Sequence, residues 1–154
     1  MWEVIFLIKK TVCALLLAIS LFSLYSCSSS PPASTLILEF MSAYGISGTP
    51  ITSDAAEFSE GYMNEESFLK IFPLDAPPRD YAILLNRRFT YGEECGFFVI
   101  RGEDKSAVLE MCQERIKLIS NGKGGILLHS GDVIFYSTLS DSEKARDIFY
   151  TIIK

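Results

Sequence analysis

The sequence predicts an α+β domain: a small, mostly antiparallel sheet of about four strands packed against two main helices. Three observations lead there. Apolar residues recur at helical spacing in stretches near 34–44, 104–119 and the C terminus. Between them lie short runs rich in Val, Ile, Phe and Tyr, bounded by Gly, Pro, Ser and Asn. The chain has 154 residues, 49% of them hydrophobic, which suits one core and makes two unlikely. The same apolar content excludes a disordered chain. A net charge of -5 argues against nucleic-acid binding, which needs a basic stripe.

The elements begin after a segment that reads as a secretion signal. Lys9-Lys10 precedes an uncharged run from Thr11 to Tyr25. A basic start followed by such a run is the grammar of an export signal. At about 15 residues, the run falls short of the roughly 20 that cross a bilayer. It ends in Leu24-Tyr25-Ser26-Cys27, which resembles the lipobox of bacterial lipoproteins. The resemblance implies that the Cys27 sulfur takes a diacylglyceryl group, and that Cys27 becomes the new N terminus. A thiolate is the nucleophile this chemistry needs. Each buried methylene adds about 0.8 kcal/mol, so two acyl chains anchor far better than one. The expected organisation is a lipoprotein signal peptide over 1–26, a flexible tether over 27–34, and a single α+β domain over 35–154. Ser28 to Ser34 is polar and Pro-containing, as a tether should be. Losing Lys9, Lys10 and Glu3 with the signal leaves 12 basic and 18 acidic residues, a net charge of -6. Acyl chains, not charge, must then hold the domain to an anionic membrane.

Within the domain, Leu36, Ile37, Phe40, Met41 and Tyr44 form one helix face, with Ser34 as N-cap and Gly45 as stop. Residues 46–63 hold Gly48, Pro50 and Gly61 among Ser and Thr, and read mostly as loop. Asn64 caps a short helix from Glu65 to Phe72, which Pro73 ends. Tyr81–Leu85 is a strand. Glu94–Ile100 is the strongest strand, apolar enough to be central and covered on both faces, although Gly96 weakens it. A long helix starts at Glu103 or Asp104 and runs to Ile119, with Val108, Met111, Cys112, Ile116 and Ile119 inward. Ile126–His129 and Asp132–Thr138 flank Ser130-Gly131 as a hairpin. Ser140 and Glu143 read as a capping box for a last helix carrying Ala145, Ile148, Phe149, Ile152 and Ile153 inward.

The element order and several words resemble a family of small secreted lipoproteins from Gram-positive bacteria, a domain of unknown function. The words are Asn64-Glu65-Glu66-Ser67-Phe68-Leu69-Lys70-Ile71-Phe72, Glu94-Cys95-Gly96-Phe97-Phe98-Val99-Ile100, Glu114-Arg115 and Gly131-Asp132-Val133-Ile134-Phe135. The resemblance implies a lipid-anchored body with one α+β domain, and it brings no activity.

Residues with chemistry are few. His129, the single histidine, sits beside a turn with no second His or Cys at ligand spacing, so no metal site is expected. Cys95 and Cys112 are both inward. In an exported protein they can form a disulfide, or simply be two small buried apolar groups. Arg87, Arg88, Phe89 and Tyr91, flanked by Arg79 and Arg101, offer a candidate partner-binding patch, because Arg and Tyr are enriched at binding hot spots. The alternative is a solvated loop. Arg115, next to inward Ile116, can pair with a carboxylate such as Glu94, a structural role more often than a functional one. Glu57, Glu60, Glu65 and Glu66 lack calcium-loop spacing, and Gly122-Lys123-Gly124-Gly125 lacks the phosphate-loop pattern.

The expected function is a membrane-anchored extracytoplasmic lipoprotein on the outer face of the cytoplasmic membrane. It would serve as a non-catalytic binding or accessory module of the cell envelope. Its partner would be an envelope protein or small ligand, with no cofactor and no nucleic acid. The alternative is a small envelope hydrolase whose active site is assembled only in three dimensions.

Overall fold

The computed structural model describes residues 30–85, 93–120 and 124–154. The elements run α1 (Ala33–Tyr44), β1 (Ile51–Thr52), α2 (Glu65–Ile71), β2 (Tyr81–Leu84), β3 (Cys95–Val99), α3 (Lys105–Ser120), β4 (Ile126–Ser130), β5 (Val133–Ser137) and α4 (Ser142–Ile152). The strands form one sheet in the order β1-β2-β3-β5-β4, and every pairing is antiparallel. The fold class is therefore α+β, with five strands rather than four. The added strand is the two-residue β1, inside the stretch read as loop. It pairs Ile51 with Ile83 and Thr52 with Ala82 at the edge of β2.

Helices cover both faces of the sheet. On one face, Leu36, Ile37, Phe40 and Met41 of α1 and Ala145 and Phe149 of α4 meet Ala82, Cys95, Phe97, Val99 and Phe135. On the other, Phe68 and Phe72 with Val108, Met111 and Cys112 of α3 meet Tyr81, Ile83, Phe98, Ile134 and Tyr136. So β3 and β5 are buried along their whole length, as the apolar run of β3 predicts. A ladder of rings fills the first face: Phe97 to Phe135 at 4.6 Å, Phe40 to Phe135 at 4.8 Å and Phe135 to Phe149 at 5.5 Å between centroids.

Several caps differ from the sequence reading. Helix α1 begins at Ala33 after Pro32, and no side chain of the preceding residue caps it. Its first free N–H, on Ala33, instead donates to Asp80 Oδ1 at 2.8 Å. A carboxylate from 47 residues away thus replaces the local Ser34 cap. Helix α4 is capped by Asp141, whose side chain accepts from Lys144 N at 2.9 Å, one residue after the expected Ser140. Asn64 caps α2 as expected, accepting from Ser67 N at 2.9 Å, and Asp104 accepts from Ser106 N at 2.8 Å to start α3. The hairpin turns on Gly131-Asp132 rather than Ser130-Gly131, with Ser130 paired to Val133. Gly131 has φ +55°, the positive first position that a two-residue hairpin turn demands.

The last residues of the expected 27–34 tether belong to the folded body, where α1 already starts at Ala33. Ala33 is fully buried in the core. The Ser30 carbonyl accepts from Arg101 Nη2 at 2.9 Å, and Ser34 Oγ donates to Asp54 Oδ2 at 2.8 Å. Arg101 in turn binds Asp80 at 3.1 Å, so one Asp-Arg pair holds both the chain entry and the first turn of α1. Among the described residues, no helix is long and apolar enough to cross a membrane.

Candidate functional site

Glu94 directly precedes β3, so its side chain points to the face opposite Cys95, toward α3. There it is 3% exposed. Arg115 Nε and Nη2 donate to its two oxygens, each at 2.7 Å. Tyr136 Oη donates to Oε1 at 2.8 Å. The Arg115 guanidinium also lies over the Phe72 ring, 5.3 Å from its centroid. The backbone locks the same spot: Thr138 N donates to the Glu94 carbonyl at 2.9 Å, and Glu94 N donates to Thr138 Oγ1 at 3.0 Å. Burial alone would lower the Arg115 value, but the Glu94 hydrogen bond and charge outweigh it and hold it above its ordinary range. Burial, then the Glu94 charge, pushes the Tyr136 phenol well above 10.0. No buried side-chain nitrogen or oxygen among the described residues lacks a hydrogen-bond partner, and these bonds clamp α3 to the sheet.

Gly96 makes this cluster possible. A Cβ there would lie 2.6 Å from Tyr136 Cε1 and 3.1 Å from Ile83 Cγ1. The bare backbone lets the Tyr136 ring cross β3 and reach Glu94.

A cleft of about 830 Å³ opens at the same end of the sheet. The loop after α1, from Gly45 to Thr49, forms one wall. Leu84, Leu85 and Leu139 supply apolar surface, and Glu60, Tyr62 and Glu93 supply polar groups. Thr49 Oγ1 donates to Glu60 Oε1 at 2.8 Å, which ties the two sides of the loop together. Among the described residues, the carboxylates of Glu60 and Glu93 line the cleft and no Lys or Arg does. These lining residues offer apolar surface together with hydrogen-bonding groups, as ligand clefts do.

Next to the cleft, Phe58 is 89% exposed and adopts φ +65°, alone among the described non-glycine residues in having a positive φ. Its ring lies 6.3 Å from that of Tyr62. A large aromatic held in water on a strained backbone is a recurrent feature of binding surfaces.

The sequence-predicted sites fare unevenly. Arg115 and Glu94 do pair. Cys95 and Cys112 do not: both are free, buried thiols. Cys95 belongs to the core under α1 and α4, Cys112 to the core under α3, and the sheet stands between them. Burial, with a smaller contribution from the Glu94 charge, pushes both thiols up. His129 is exposed near the Gly131 turn, at the other end of the sheet from the cleft. Among the described residues, no three His, Cys, Asp or Glu side chains cluster as a metal site. Cys27 and the Arg87, Arg88, Phe89 and Tyr91 patch lie outside the described residues. Leu85 and Glu93, the described residues flanking that patch, both line the cleft. The cleft itself was missed. Its signal was the length of the 46–63 connection, since long connections in small domains are often binding loops.

Compared with protein-family models, with curated proteins and with solved structures, the chain finds no match in any of the three. The likeness to a lipoprotein family rests on the words in the sequence alone.

Proposed function

We propose that the protein is an exported lipoprotein, acylated on Cys27, whose single domain binds a ligand or partner outside the cytoplasmic membrane without catalysis. The observation that carries the reading is positional. The lipobox-like Leu24-Tyr25-Ser26-Cys27 ends three residues before Ser30, whose carbonyl accepts from Arg101 Nη2. An acyl anchor on Cys27 would therefore hold the domain through a short leash. The working surface is the cleft beside Leu84, Leu85, Glu60 and Glu93, with Phe58 and Tyr62 at its rim. The likeness to the Gram-positive lipoprotein family supports the anchor and is silent on the ligand.

The test is a membrane fractionation combined with crosslinking in intact cells. Wild type should sediment with membranes and crosslink to a defined partner or ligand. Cys27→Ala should leave the precursor unprocessed or release it from the membrane. Leu85→Arg should keep the anchor and lose the crosslink. Membrane retention of Cys27→Ala would mean that an uncleaved helix holds the chain, and a crosslink untouched by Leu85→Arg would place binding elsewhere.

A further inference from the structure

Resting on the acylated Cys27 just proposed, we infer that the domain stands on the bilayer with its Asp80–Arg101 end down and its cleft outward.

Chain length sets the orientation. Three peptide units separate Cys27 from Ser30. Fully extended, they span at most about 11 Å. A headgroup layer takes up about 5–7 Å of that, because the glycerol of the anchor sits at its inner boundary. Ser30 is not free to lengthen this leash. Its carbonyl is bound by Arg101, Arg101 is bound by Asp80, and Asp80 holds the Ala33 N–H. The held end of the domain therefore lies at the lipid surface.

The topology fixes what else lies there. Val99 N donates to the Asp80 carbonyl, and Ile100 N donates to the Asp132 carbonyl. Ser30, Asp80, Arg101 and the Gly131-Asp132 turn thus share one end of the sheet. Helix α1 starts at that end and runs 12 residues to Tyr44. At 1.5 Å per residue it rises about 18 Å before reaching the cleft loop. Exposed Arg79 and Arg101 lie at the lower end beside Glu103, Asp104 and Asp132, so its charges are mixed. Leash length, not attraction to anionic lipid, sets the orientation.

The experiment uses the full-length lipoprotein, extracted from membranes and reconstituted in phosphatidylcholine vesicles containing a lipid with a nitroxide on its headgroup. Asp132→Cys and Ser140→Cys place a bimane label at the lower and upper ends. The native Cys95 and Cys112 are buried and do not compete for it. Quenching should be several-fold stronger at 132 than at 140, and unchanged when phosphatidylglycerol is added. A ten-residue Gly-Ser insert after Ser29 adds about 18 Å of flexible reach and should remove the contrast. Equal quenching at both sites, or a contrast that survives the insert, overturns the orientation while leaving the anchor intact. Protein that fails to float with the vesicles overturns the anchor and the orientation together.

Discussion

Arg115 grips both oxygens of the Glu94 carboxylate at 2.7 Å, across the boundary between helix α3 and strand β3. This largely buried pair ties α3 to the sheet, and it is backed by Tyr136. Desolvating two charges costs several kcal/mol, which their attraction and hydrogen bonds must offset. Breaking one side is therefore expensive. Glu94→Ala should lower stability by about 3–5 kcal/mol, because it strands the Arg115 guanidinium in the core. Replacing both with apolar residues, Glu94→Leu with Arg115→Met, should recover most of that loss. Urea denaturation of the two variants checks this, and a single variant no worse than the double would contradict it.

Gly96→Ala should also destabilise, by about 1–3 kcal/mol. Its Cβ would enter the space of the Tyr136 ring, 2.6 Å from Cε1. Tyr136→Phe tests the other half of the link, since it keeps the ring and removes only the bond to Glu94. It should cost about 1.5–3 kcal/mol, the range for a hydrogen bond to a charged group. Thermal unfolding of both variants would show whether ring position or hydroxyl matters more.

The two thiols predict an alkaline loss of stability. Cys95 and Cys112 ordinarily titrate near 9.0, and burial raises both in the folded state. Above that pH the unfolded chain gives up protons that the folded chain keeps. The stabilisation is complete below pH 9 and declines as pH rises, by up to about 1.4 kcal/mol per pH unit for each thiol. Urea midpoints at pH 8 and pH 10 should differ, and Cys95→Ala with Cys112→Ala should shrink the difference. Neither thiol should react with Ellman's reagent until the protein is unfolded. Rapid reaction of the native protein, or a mass two hydrogens lower than the free-thiol form, would contradict two separated, buried thiols.

The exposed Phe58 should matter to binding and little to folding. Phe58→Ala removes a ring that is 89% in water, so stability should move by less than about 0.5 kcal/mol. Crosslinking to the partner should fall sharply, as truncating an aromatic anchor does. Unchanged capture would remove Phe58 from the binding surface.

Much of this fold was legible because burial leaves a periodic trace. The inward faces of α1, α3 and α4, and the full burial of β3, follow from apolar spacing. The Glu94–Arg115 pair was legible too, since an Arg beside an inward stripe needs a carboxylate. Periodicity failed where distance in sequence decides. It shows that Cys95 and Cys112 point inward, but not that a doubly covered sheet gives them separate cores. It cannot find β1, whose two residues form a strand only because β2 presents an edge. The Asp80 cap on Ala33 and the Arg101 hold on Ser30 bridge 47 and 71 residues, so no local pattern announces them. The cleft was hidden for a related reason: Gly48, Glu60, Leu85 and Glu93 come from three separate connections.

The state of the Cys27 sulfur decides whether the chain is a lipoprotein. Intact mass spectrometry of the native protein, extracted from membranes, reads it in a single measurement. A chain beginning at Cys27 and carrying diacylglyceryl is the predicted result. An unmodified N-terminal peptide spanning Met1 to Cys27 would contradict it.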